Sequence, residues 1–388
     1  MTDIPIGATA EAASEAPSTV RLAFIDNIRW SMIILVLSMH ASDTYSPFGN
    51  WYYVDRQPAG LGIKLVFGIY QSFLQAFFMA MLFFIAGHFS AAAYDRKGFA
   101  RFVRDRCLRL GLPTLLYMLV IGPLTQYFLS GTWGSGGFVH QWLIHLFDGE
   151  WLSETGPMWF CAALLAFSIL YALLRRTGWT EPAIALQSGV AVSVFVAIMA
   201  AATFFARVAV KQDVAVLNMH PGDVPQYLLM YAAGTFGYRG KWLGALAKRR
   251  GLLWAALALT ASIPIFAALI AFGGALQGNT APYAGGLNLV SAGKSLWEAM
   301  VCVGMALLLI ALYREHFNTQ GPWARWLSDN AFGVYLIHPP ILIGFAILLR
   351  SVEVNAIAKA LLLTVLAAVG SFAASALILR RSPLRGIV

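Results

Sequence analysis

Residues 26–43 read DNIRWSMIILVLSMHASD, an apolar stretch of membrane-helix character that nevertheless carries charge. With about 100° and 1.5 Å per residue, Arg29 and His40 are three turns plus roughly 20° apart. They therefore share one helical stripe, about 16 Å apart along the axis. Asp26 and Asp43 fall within about 60° of the same stripe. Ionisable groups inside an apolar helix are costly to desolvate and face a bundle interior or a wet cavity, so this stripe is the first candidate for function. A ring simply packed in the core is the competing reading of His40 alone; the shared face with an arginine and two aspartates weighs against it.

The rest of the chain agrees with a membrane setting. Of its 388 residues 59% are hydrophobic and 12% charged, at a mean hydropathy of +0.69, whereas a soluble domain is about a quarter charged. The pattern predicts an all-α, polytopic integral membrane protein. Apolar runs of about 17 to 25 residues give about ten transmembrane helices, centred near residues 37, 80, 120, 165, 195, 230, 262, 302, 341 and 367. Residues 1–20 are polar, include Asp3, Glu11 and Glu15, and lack the pattern of a signal peptide. They read as a disordered cytosolic tail, followed by a transmembrane domain over 21–380 and a cytosolic tail over 381–388. With the N-terminus inside, most of the 27 lysines and arginines fall in inner connections, which places both termini in the cytoplasm. The formal charge of +9 is then a matter of topology, and no nucleic-acid partner is implied. Cys107, Cys161 and Cys302 are scattered, without disulfide or metal-ligand spacing, and no metal is expected.

Several further stretches carry chemistry. The run RKGFARFVRDRCLRLGLP over 96–113 reads as a basic loop. If its second half is helical, Arg106 and Arg109 are neighbours on one face. Arginine forks bind phosphate oxygens bidentately, and both lipid headgroups and a nucleotide-like donor offer them. Trp51, Tyr52, Tyr53, Trp133, Trp142 and Trp151, with Asp148, Glu150 and Glu154, suit interfacial anchoring or sugar rings. GPMWF over 156–160 puts Trp159 at the outer end of the fourth helix. Glu298, in the eighth, needs a partner, and Lys294 four residues earlier is available. Gly87 with Ala91, Ala92 and Ala93 allows a close helix approach, and His88 beside them reads as packing. Gly234 and Gly237 accompany a short sixth helix. The Pro339-Pro340 pair should kink or break the ninth and free backbone carbonyls, which His338 is placed to cap.

In their order and spacing, four stretches resemble the acyltransferase-3 family of membrane acyltransferases, and in particular its glucan-biosynthesis protein C type. They are the Asp26, Arg29 and His40 arrangement; FFIAG over 83–87; Arg106, Arg109 and Pro113; and YLIHPP over 335–340. GPMWF is similar to a fifth. The sequence departs from the family where Ala331-Phe332 replaces a Ser-Tyr pair and Ala86 replaces a serine. The resemblance implies a multi-pass protein of the bacterial inner membrane in the cell envelope. It would move an acyl group, acetyl or succinyl, from cytosolic acyl-coenzyme A to a hydroxyl of an extracytoplasmic carbohydrate or glycolipid such as a glucan. Coenzyme A is then a co-substrate, with no cofactor bound permanently. A sugar hydroxyl is a poor nucleophile, and a neutral imidazole within hydrogen-bond reach can take its proton. His40 is the expected base, and Asp43 either fixes its tautomer or stabilises the imidazolium, or else caps the helix. Arg29, Arg106 and Arg109 are expected to hold the donor, Arg29 alternatively pairing with Asp26, with Asp26, Trp159, Glu298, Tyr335 and His338 in support. The alternative is a carrier or flippase for an acidic lipid or sugar, with the proline-broken helix as hinge.

Overall fold

The computed structural model describes residues 22–130, 137–149, 152, 154–184, 188–246, 248–378 and 381. The N-terminal tail, residues 382–388 of the C-terminal tail, Trp133, Glu150 and Trp151 lie outside these. The long elements are α1 (Ala23–Tyr45), α2 (Leu61–Arg106), α3 (Gly122–Ser130), α4 (Gly137–Phe147), α5 (Trp159–Arg176), α6 (Gly189–Ala209), α7 (Val224–Arg239), α8 (Lys248–Phe272), α9 (Leu289–His316), α10 (Pro322–Leu348) and α11 (Ala356–Leu377). No strand occurs among the described residues; Val216 and Met219 form an isolated bridge.

All ten hydropathy centres fall on helical segments. Seven described helical stretches are long and apolar enough to cross a membrane: Leu61–Leu129, Gly156–Arg176, Gly189–Ala209, Lys248–Gln277, Leu289–His316, Pro322–Leu348 and Ala356–Leu377. The difference has three sources. The centres near 80 and 120 share the first of these stretches. α7 has 16 residues, about 24 Å of helix against a hydrocarbon core of about 30 Å. α1 has 23 residues, but Asp26, Arg29, His40 and Asp43 dilute its apolar character.

The arginine-rich segment corrects the expectation of a loop. It is helical, and the chain changes direction at Gly98, whose φ of 68° and ψ of 177° interrupt α2. Two wide π-type turns follow, Cys107–Gly111 and Tyr117–Ile121, ahead of Pro113 and Pro123. A proline ring crowds the carbonyl four residues earlier and supplies no N–H, and a wider turn relieves both problems. The carbonyl of Leu119, four residues before Pro123, accepts the Trp142 indole N–H at 2.6 Å. That bond seats α4 against the π turn.

The Pro339-Pro340 pair does not break α10, which runs through both prolines. Its orphaned carbonyl is instead satisfied locally: His338 Nδ1 lies 2.8 Å from the Tyr335 oxygen, four residues before Pro339. A carbonyl only accepts, so Nδ1 carries a proton and leaves Nε2 as the acceptor of the neutral ring. Close packing of α2 on α7 follows from glycine at the contact. A side chain at Gly87 would run into the Tyr231 carbonyl, and one at Gly234 into the Phe84 carbonyl. α1 packs between α2 and α10, and α5 lies against α2, which gathers the sequence motifs around one axis.

Candidate active site

Two cavities follow one another along α1, α2, α5 and α10. One, of about 750 Å³, is lined by His40, Asp43, Trp51, Glu154, Trp159 and Tyr335 among others. The other, of about 370 Å³, is lined by Arg29, Arg96, Lys97, Arg106 and Arg109 over an apolar floor. The linings continue one another: on α1 Arg29 and Ile33 give way to Val36 and His40, and on α2 Leu82 gives way to Met79.

In the larger cavity His40 Nδ1 lies 3.5 Å from Asp43 Oδ2, with both side chains less than a fifth exposed. The other carboxylate oxygen of Asp43 accepts Gln71 Nε2 at 2.8 Å, and Gln71 in turn accepts Ser46 Oγ at 3.0 Å. Asp43 therefore sits within α1, which runs to Tyr45, and does not cap it. The His40 ring stacks on Trp51 with centroids 3.7 Å apart, and lies near-parallel to His338 at 5.4 Å. His338 is fully buried. Across the cavity Glu154 Oε2 accepts Gln126 Nε2 at 2.5 Å, and Asn218 Oδ1 accepts the Gly156 N–H at 2.8 Å. Gly156, at φ of 52°, lies so close to Tyr52 and Tyr117 that no side chain fits there. Burial holds the Tyr52 phenol above its usual range, with Tyr117 as its hydrogen-bond partner at 3.3 Å, so it stays neutral.

The smaller cavity brings together Arg29, Arg106 and Arg109, from two helices and a π turn. Arg29 Nη1 pairs with Asp26 Oδ1 at 3.2 Å and is about half-exposed. Arg106 donates to Ser90 Oγ at 3.0 Å and lies over the Phe102 ring. Lys97 pairs with Asp105. The cavity thus presents guanidinium groups over an apolar floor, which suits an anion joined to an apolar or extended arm.

Other expected residues fall elsewhere. Glu298 lines neither cavity. Lys294 is 3.8 Å from it, but Arg207 is the closer partner at 2.5 Å. Arg207 also holds Asp223 at 2.6 Å, and Asp223 reaches the wall of the larger cavity. His88 is buried edge-on to Tyr238 and Phe89 and lines neither cavity, in keeping with packing. Gln71, Arg207 and Asp223 carry no sequence signal, because their partners come from other helices. Trp51 stood out only as one aromatic among several.

These features define a multi-helix membrane protein with a histidine–carboxylate pair and a guanidinium-lined chamber on one axis. Residues 22–380, nearly the whole chain, match the acyltransferase domain of the acyltransferase-3 family, and the chain belongs to that family. It is a membrane acyltransferase that transfers groups other than aminoacyl groups, which displaces the carrier reading. No curated protein and no solved structure matches it.

Proposed function

We propose that this acyltransferase takes an acetyl or succinyl group from cytosolic acyl-coenzyme A and gives it to a hydroxyl of an extracytoplasmic carbohydrate, a glucan by the subtype it resembles. The observation that carries this reading is the end-to-end placement of the basic and histidine cavities along the same helices. Arg29, Arg106 and Arg109 hold the phosphates of coenzyme A, and its pantetheine arm reaches along the apolar floor. His40 works as general base. Asp43 orients Nδ1–H toward itself, so Nε2 is left to take the proton of the acceptor hydroxyl. The hydroxyl oxygen adds to the thioester carbonyl, the C–S bond breaks, and the imidazolium returns its proton to the thiolate. Trp51 and Trp159 offer ring faces, and Glu154 an acceptor oxygen, to a sugar. Ten membrane crossings with both termini in the cytoplasm of a bacterial inner membrane put the basic cavity on the donor side.

The test is donor binding and transfer by the purified protein in lipid. Acyl-coenzyme A is expected to bind wild type, and Arg109→Ala to weaken it by about 1.5–3 kcal/mol, the worth of a charge-assisted hydrogen bond. Equal affinity in a folded Arg109→Ala protein returns the arginines to a purely topological role.

A further inference from the structure

On each helix that lines both cavities, the linings are separated by about one turn or less. The lining passes from Ile33 to Val36 on α1, from Leu82 to Met79 on α2, and from Phe160 to Trp159 on α5. On α10 there is no gap. Among the described residues Tyr335 alone lines both cavities. Its side chain is buried, set edge-on to Phe160 with centroids 6.1 Å apart. Its hydroxyl donates to the carbonyl of Pro157, itself a wall residue of the histidine cavity. One neutral hydrogen bond, from the residue common to both linings to a wall of the histidine cavity, is a weak latch.

We infer that Tyr335 is the partition between donor and acceptor chambers, and that the acyl group reaches His40 when this side chain swings off the Pro157 carbonyl. The inference rests on the two-chamber reading of function, and adds to it the residue that controls passage. With the partition closed, water of the open histidine cavity is kept from a donor waiting in the basic one. With the partition removed, water competes with the sugar. Its oxygen adds to the thioester carbonyl, the C–S bond breaks, and the products are free coenzyme A thiol and the carboxylic acid, with water supplying both protons. Tyr335 is thus a positioning residue that decides which nucleophile meets the thioester.

The experiment reads passage separately from chemistry. Exposed Cys107 is replaced by serine and buried Cys161 and Cys302 by alanine, a single reporter cysteine is introduced as Met39→Cys in the histidine cavity, and the protein is oriented in liposomes. A small charged methanethiosulfonate is then added on the face that carries Arg109. The reporter is expected to be protected when Tyr335 is present. It should react at least tenfold faster in Tyr335→Ala, and severalfold faster in Tyr335→Phe, which keeps the ring and loses the latch. In parallel, the ratio of thioester hydrolysis to transfer rises at least fivefold in Tyr335→Phe. Should Tyr335→Ala fail to fold, the phenylalanine variant decides. An unchanged labelling rate in a folded variant overturns the partition, as does a proportional fall of hydrolysis and transfer together. Labelling needs no donor, so it stands or falls independently of the assignment of acyl-coenzyme A.

Discussion

Two charged clusters lie inside the same bundle, and they differ in how fully their members are used. Around Arg207, two cations and two carboxylates close on one another. Arg207 meets Asp223 at 2.6 Å and Glu298 at 2.5 Å, Lys294 approaches Glu298 at 3.8 Å, and Gln212 bridges Lys294 and Asp223 at 2.5 and 2.6 Å. Around His40, a single carboxylate stands at 3.5 Å, one ring face is covered by Trp51, and the residue opens onto a cavity. Removing one member of a closed buried cluster strands the others in low dielectric and costs several kcal/mol. Removing a member of the open cluster strands little, yet takes away the proposed general base. The closed cluster clamps α6, the start of α7 and α9, and the open one is where the proposed chemistry takes place.

The largest expected effect breaks this contrast if it fails. His40→Ala should lower transfer by about 10²–10⁴, the worth of general-base help, while fold and donor binding survive. His40→Gln should not recover it, because an amide hydrogen-bonds but does not take a proton at neutral pH. Acyl transfer by purified variants, beside thermal melts, measures both, and a His40→Gln enzyme within tenfold of wild type ends the base assignment.

Stability should show the opposite pattern. Arg207→Met leaves Asp223 and Glu298 buried without their main partner, for a loss of about 3–5 kcal/mol, whereas His40→Ala should cost far less. Denaturant or thermal unfolding in a fixed detergent compares the two; equal losses would mean that the clusters are alike. The smallest effect sharpens the open cluster. Gln71 holds the Asp43 oxygen that does not face His40, so Gln71→Leu should free the carboxylate to turn. About a tenfold fall in kcat with unchanged donor affinity is expected from one such bond. A change in donor affinity with kcat intact would assign Gln71 to the basic cavity instead.

Some of this was readable residue by residue. The stripe of Asp26, Arg29, His40 and Asp43 follows from helical period alone, and Arg29 pairs with Asp26 three residues away. His338 as the cap of a carbonyl freed by Pro339 follows from the i−4 rule. The i−4 rule leaves kink and break open for the proline pair, and α10 runs on unbroken, while the basic run expected as a loop is helical. Single helical turns adapted instead, by a side-chain cap and by π widening. Arg207 was not legible at all, since Asp223 and Glu298 reach it from other parts of the chain.

By itself, the sequence determined what is local: apolar runs that make helices, charges that share a helix face, glycines that admit a neighbour, and prolines that free a carbonyl. Each depends on residues within a few positions, where backbone geometry is fixed by period. Only the tertiary structure decided that Trp51 covers His40, that Gln71 holds Asp43, that Arg29 shares a chamber with Arg106 and Arg109, and that Tyr335 stands between two cavities. These depend on which helices become neighbours and at what height. That choice is made by close packing of whole helix faces far apart in the chain, and no spacing within one helix encodes it.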